Sequence, residues 1–318
     1  MTKQVFKSRF GIRADFDVDA RKLDADGNVL SSRRILTKCP NLITDTGMDA
    51  FNSYTLQELM GALHVGTDGT APAFTDTVLG NKRAAVGAGG SGDNTLAWDV
   101  TNPKTLVYKR VFTFAVGAAS GALRELGFSN ATNGNIFTHA LFKDAFGDPT
   151  IVDVDSDEQL LVTYRLYIIP DERDSMLVKV QGGTEYTIVF RFALLGVVAG
   201  SVAAASRLCV IGWPGQSYSY DVSCYYGPSS AIGPVTGGPT GTEIGNSLPF
   251  TLGAYTTGNY YRDDSVTVPL DLFNVNELGA IQLRYANPFK TQIGISPRLN
   301  KTSNDTIKFT VRTRWYRA

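Results

Sequence analysis

Two imidazoles and several runs of carboxylates are the places where chemistry could start in this chain. His64 and His139 are its two histidines, and they lie in separate segments, each flanked by apolar residues in a strand-like context. His64 opens the stretch "LHVGTDGTAPAFTDTVLG" (residues 63–80), which also holds three glycines and two aspartates. A Gly-rich loop cradles phosphate when successive backbone N–H groups point at the anion from a helix start, often beside a lysine. Here Pro72 removes a donor, and the nearest lysine, Lys82, lies past the loop. The glycines therefore read as the end of a strand at Val65 and a turn capped by Asp76 and Thr77. No nucleophile-elbow, zinc-protease, P-loop or strand-linked dinucleotide fingerprint occurs. A hydrolytic triad or a sugar-cleaving acid pair would need distant residues brought together, and none stands out.

The carboxylate runs have two readings each. "DVDSDEQ" (residues 153–159) sets Asp153, Asp155 and Asp157 on one face of an extended segment. Three such groups repel unless a divalent cation or nearby basic side chains balance them, so a cation site stands beside a solvated edge and turn. "DADGN" (residues 24–28) begins like a calcium loop, but the position that should be Glu is Ile35, so a hairpin turn centred on Asp26-Gly27 is the prediction. No cofactor is implied.

Two further groups suit contact rather than catalysis. Tyr218, Tyr220, Tyr225, Tyr226, Tyr255, Tyr260 and Tyr261 are interleaved with Ser, Gly, Asn and Asp. Tyrosine offers contact area at low entropy cost and a polar tip, which suits stacking on sugars or packing between subunits; ordinary loop residues covered by their own domain are the alternative. Lys308, Arg312 and Arg314 share one side of the last strand pattern, opposite Ile307, Phe309, Val311 and Trp315. Such a cationic strand meets an acidic partner subunit, or simply guards a sheet edge.

The elements that must position these groups are mostly strands. Phe6, Phe10, Ile12, Ala14, Phe16 and Val18 share one parity while Lys7, Arg9, Arg13 and Asp15 hold the other, which predicts a long strand with a dry and a wet face. "VLSSRRIL", "TLVYKRVFTFAV", "GALRELGFS", "NIFTHALF", "EQLLVTYRLYIIP", "EYTIVFRFALLG", "RLCVIGW", "AIQLRYA" and "TIKFTVRTRWY" continue the pattern, separated by Gly, Asn, Asp and Pro turns. One short helix is predicted in "TDTGMDAFNSYTLQELMGAL". The fold class is thus all-β: antiparallel β-sandwich domains with one short N-terminal helix and long loops. Residues 1–170 form a first sandwich that docks, and residues 171–318 a second β-rich domain carrying a Tyr/Gly/Pro-rich loop segment at 213–262.

Composition narrows the function classes. The chain has 318 residues, 43% hydrophobic and 19% charged, with thirty cations matching thirty anions. That balance gives no general attraction to nucleic acid or to an anionic membrane. Cys39, Cys209 and Cys224 make neither a disulfide framework nor a zinc spacing. "MTKQVFKSRF" has no apolar signal core, and the longest apolar run, "ALLGVVAGSVAAA" (residues 193–205), falls short of the roughly 20 residues of a membrane span. A soluble chain without membrane insertion is expected.

"NLITDTGMDAF" followed by "LHVGTDGTAPAFTDTVLGN" resembles the N-terminal part of tailed-bacteriophage virion proteins. "YKRVFTFAVGAASGALRELGFSN" and "NIFTHALFKDAFGDPTIVDVDSDEQLLVTYRLYI" are similar to the elements that follow there, and "TIKFTVRTRWYR" resembles their aromatic-Arg ending. The likeness covers residues 41–169 well and the C-terminus loosely; residues 213–262 have no counterpart in it. It implies a structural subunit of a virion, of the tail apparatus (baseplate, collar or fibre), assembled in the bacterial cytoplasm. Its partners would be copies of itself and other tail proteins, as a trimer if fibre-like or a six- or twelve-fold ring if a collar or baseplate part. The alternative is a receptor-binding protein that contacts host surface glycan through the Tyr-rich segment. A glycan-degrading enzyme ranks behind both.

Overall fold

The computed structural model describes residues 5–89, 94–99, 105–171, 174–181, 183–194, 220–234, 237–248, 250–268, 275–284, 289–301 and 307–318. Its elements, in chain order, begin with β1 (Phe6–Leu23), β2 (Val29–Ile43), α1 (Asp45–Ala50), α2 (Leu56–Leu59), β3 (Ala62–Gly66), β4 (Lys82–Gly87), β5 (Asn94–Asp99) and β6 (Thr105–Thr113). Then come β7 (Gly121–Leu123), β8 (Glu125–Ser129), β9 (Thr138–Leu141), β10 (Val152–Val154), β11 (Glu158–Pro170), β12 (Ser175–Gln181) and β13 (Thr184–Leu194). The last are β14 (Tyr220–Ala231), β15 (Thr240–Leu248), β16 (Phe250–Thr251), β17 (Tyr261–Val268), β18 (Val275–Arg284), β19 (Phe289–Lys301) and β20 (Ile307–Arg317). The fold is all-β, its sheets built from antiparallel pairs, as the period-two patterns predict.

The chain divides into two compact units. One holds the described parts of residues 11–169 with 317–318, and its strands run in the order β5-β6-β11-β1-β2-β9-β8-β3-β4, with β7 and β10 forming a separate pair. β11 is buried at every second residue, and Leu160, Val162, Tyr164, Leu166 and Ile168 point inward. They meet Ile12, Phe16 and Val18 of β1 in a core with Phe112, Phe128 and Phe142; the rings of Phe112 and Phe128 lie 5.2 Å apart. Each fully buried large side chain stabilises the fold by about 1.5–3 kcal/mol before entropy is counted.

The second face of β1 departs from expectation. Arg13 is exposed, but Asp15 and Asp17 are buried, because Arg165 from β11 lies across them at 2.6 Å from Asp15 Oδ1 and 2.6 and 2.8 Å from Asp17. Alternation could show that these acids face away from the apolar core. It could not show that a basic side chain from residue 165 covers them.

Two local predictions are corrected in detail. The helical stretch is split: Thr44 caps α1, and the chain turns before Thr55 starts α2 with a capping box to Glu58. Gly47 inside α1 is required by proximity, since a Cβ there would sit 2.0 Å from the Phe137 carbonyl oxygen. In the 24–28 turn Gly27 has a positive φ of 84° whereas Asp26 does not. The turn is instead held by the Asp24 carboxylate, which accepts the N–H groups of Asp26 and Asn28 at 2.9 and 2.7 Å.

The other unit holds the described parts of residues 5–10, 170–194 and 220–316. Its main sheet has the order β12-β13-β19-β18-β14-β15, and β16-β17-β20 run beside the start of β1. Phe190, Cys224, Leu278, Ile281, Leu283, Ile293 and Val311 form its core. The segment read as long loops is therefore substantially sheet: β14 alone has twelve residues and pairs with both β15 and β18. Residues 213–219, with Tyr218, lie outside the described residues, as do Cys209 and most of the 193–205 run. No helix among the described residues is long and apolar enough to cross a membrane.

Candidate interaction sites

The tyrosines singled out in the sequence are dispersed. Tyr220 is placed by its backbone at the start of β14. Tyr225 is buried, and Tyr226 packs against the sheet core. Tyr255 stacks on Trp315 with ring centroids 5.6 Å apart, and Trp315 stacks in turn on Phe10 at 6.4 Å. Tyr260, at a positive φ of 52°, accepts the Trp315 N–H through its carbonyl at 3.0 Å. Tyr261 lines a cleft.

That cleft is built by strand register. β17 and β20 pair so that Tyr261 lies opposite Arg314 and Asp263 opposite Arg312. Directly opposed residues project to the same face of an antiparallel pair, and alternation sends Arg262, Asp264, Val311 and Trp315 to the buried side. Arg312 is fixed twice: its guanidinium bonds both oxygens of Asp263 at 2.7 and 2.8 Å and lies 4.1 Å from the Tyr261 ring centroid. The hydrogen-bonded Asp263 carboxylate, foremost, raises the Arg312 pKa against the opposing effect of burial. Lys7 and Arg9 come from β1, Asp171 and Asp174 from the segment before β12, and Asn259 from the turn before β17. Together they enclose a cleft of about 490 Å³ above Phe190. Arg9 is paired with Asp171, and Arg191 with both oxygens of Asp174 at 2.8 and 2.7 Å. Arg314 and Lys7 are exposed, and among the described residues no carboxylate pairs with either. The two arginines marked on the last strand thus come together with Tyr261, while Lys308 is exposed elsewhere along β20.

The Gly-rich stretch has a different use. Residues 67–81 wrap around one buried carboxylate, Glu125 on β8, which is 1% exposed. Its oxygens accept the backbone N–H groups of Asp68, Gly80 and Asn81 at 3.3, 3.2 and 3.0 Å, and His139 Nε2 at 3.0 Å. His139 Nδ1 contacts Asp76 Oδ2 at 2.7 Å, and Asp76 also accepts the Ala73 N–H. Burial disfavours the charged ring, but a carboxylate on each side raises the His139 pKa overall. Burial likewise opposes the Glu125 charge, yet His139 and the backbone donors hold its pKa below the usual range. Gly66 is next to Glu125 in register, and a Cβ there would lie 2.3 Å from Glu125 Oε1. With a carboxylate on each ring nitrogen, the His139 imidazole ties the 67–81 loop to β8. His64 is separate: it is buried, contacts the Ala131 carbonyl at 3.0 Å through Nε2, and burial lowers its pKa.

The acidic run is balanced by basic side chains. Lys22 lies 3.7 Å from Asp155 and 3.0 Å from Asp157, and Arg33 pairs with Glu158 while donating to the Asp153 carbonyl. Glu158 is drawn down to a pKa of about 2, by Arg33 foremost. Among the described residues no three His, Cys, Asp or Glu side chains gather as a metal site.

Sequence reasoning passed over Glu125, Arg165, Lys7, Arg9, Asp171 and Asp174 as site residues. One signal was available for Glu125: an acid inside the apolar strand "ELGFS" demands a partner, because an unpaired buried charge is costly. No family model matches the chain, and no curated protein and no solved structure matches it either.

Proposed function

We propose that the chain is a structural subunit of a bacteriophage virion, part of the tail apparatus, working by assembly with copies of itself and with other virion proteins. The observation that carries this reading is the outer strand β12. It pairs with β13 on one side, and among the described residues no strand pairs with its other side. Leu177 packs into the sheet core, while Met176 and Val178 on the opposite face are 68% and 51% exposed. Soluble monomers blunt such edges with charges, prolines or bulges. Between Ser175 and Gln181 the single charge is Lys179. An apolar edge left this open suits pairing with the same strand of a second copy, which closes a two-sided interface.

A second feature has the same character. Phe146 is 92% exposed at the tip of the 144–148 turn. Asp144 fixes that turn by accepting the N–H groups of Phe146 and Asp148 through Oδ1 at 2.9 and 3.0 Å. A rigid turn presenting an aromatic side chain is pre-organised as an interface anchor. The virion context comes from the resemblance of residues 41–169 and the final strand. The proposed location is the assembled particle, after synthesis in the bacterial cytoplasm. Electron microscopy of intact particles tests it: the chain is expected at a fixed site and in a symmetric copy number. Finding it in lysate and absent from particles overturns the reading.

A further inference from the structure

We propose that the cleft formed by β17, β20, the start of β1 and the residues Asp171, Asp174 and Ser175 binds an acidic sugar, a pyranose unit carrying a carboxylate. The inference is independent of the virion reading. Its volume of about 490 Å³ falls within the roughly 300–1,000 Å³ of small-ligand sites. Three kinds of group line it, and each matches one part of such a sugar. Lys7 and Arg314 are cations with no carboxylate partner among the described residues, and they suit the sugar's carboxylate. Tyr261, one face of which is covered by the Arg312 guanidinium, lines the cleft and supplies aromatic contact for the C–H groups of the ring. Asn259 and Asp174 offer donors and acceptors for hydroxyls; the Asp174 carboxylate keeps lone pairs beyond those used by Arg191.

The mixture of charges selects the occupant. An acidic peptide would bring its carboxylates against Asp171 and Asp174 with no hydroxyl to donate to Asp174. A neutral sugar would leave Lys7 and Arg314 unmatched. A long polyanion gains little, because the chain as a whole has zero net charge. A carboxylated sugar satisfies the cations and the Asp174 carboxylate together.

The test uses the full chain and calorimetric titration with trimers of glucuronate, galacturonate and mannuronate, with sialyllactose, with the methyl-esterified trimers, and with a glutamate hexapeptide. At least one carboxylated sugar is expected to bind, with at least a tenfold loss on esterification. R314Q and K7Q are expected to weaken that binding at least tenfold and fivefold, and Y261A at least fivefold. Arg314 and Lys7 are exposed, so both variants should retain the wild-type thermal transition, which separates lost binding from lost folding. Binding by none of the carboxylated sugars overturns the proposal. So does equal affinity for esters or for the hexapeptide, or binding that R314Q and K7Q leave unchanged. None of these results bears on particle incorporation, so the two readings fail separately.

Discussion

Replacing Glu125 probes the loop pin directly. Its carboxylate accepts three backbone N–H groups and His139, so E125A strands several donors at a site from which water is largely excluded. Removing one partner from a buried ion pair costs about 3–5 kcal/mol, and E125A should fall in that range. E125Q keeps one acceptor oxygen but loses the charge, and a loss of about 2 kcal/mol is expected, within the range for hydrogen bonds to charged groups. The pH dependence has a defined sign. His139 has a folded-state pKa above its ordinary 6.5, so its contribution is complete below about pH 6.5 and disappears as pH rises through the folded value. Glu125 is held below its ordinary 4.5, so its contribution is present above about pH 4.5 and is lost as pH falls through the folded value. The pin is therefore strongest between those limits. Urea denaturation of wild type and E125Q across pH 4–9 should show the difference between them shrinking at both ends. Hydrogen exchange at Asp68, Gly80 and Asn81 gives the local readout, and these amides should exchange far faster in both variants. Unchanged protection at the three amides, or a wild-type to E125Q difference that is flat across the pH range, would refute the pin.

Four more outcomes follow from specific contacts. R165A leaves Asp15 and Asp17 buried without their cation and should cost about 3–5 kcal/mol in urea denaturation at neutral pH. Burial opposes the Asp17 charge, but Arg165 and the Lys38 N–H hold its pKa below 3.8, so the Arg165-dependent stability should be present above about pH 3.8 and fade in stronger acid. G66A forces a methyl group against Glu125 and the Asn81 carbonyl, with an expected loss of about 1–3 kcal/mol in the same assay. M176K/V178K should leave the thermal transition of the chain in place while lowering its oligomeric state in light scattering, and an unchanged mass would move the interface away from β12. F146D should alter stability by less than about 0.5 kcal/mol, since the side chain is exposed, and reduce incorporation into particles.

Much of the fold is legible in the sequence because strand signals are local. The parity of Phe10, Ile12, Ala14, Phe16 and Val18 follows from the two-residue repeat of a strand, and all five are buried. β6, β8, β9 and β11 fall within apolar segments marked by the same repeat, and β13, β18 and β20 overlap such segments. The strands β14 and β15 escape it, because no apolar repeat runs along them and they are placed by pairing with each other and, for β14, with β18. The helical stretch carries apolar residues at helical spacing throughout, and only the turn before Thr55, which caps a second start, divides it.

What the sequence by itself determined is the alternation of faces, the capping and turn residues, and the even balance of charge, since each depends on neighbours within a few positions. What the tertiary structure decided is which charges meet. Glu125 finds His139 and the 67–81 loop, Arg165 crosses to Asp15 and Asp17, and Tyr261 shares a cleft with Arg314 and Lys7. Those pairings span tens to hundreds of residues and depend on strand order and register. A side chain's type states that it needs a partner; the register of strands far apart in the chain decides which partner it receives.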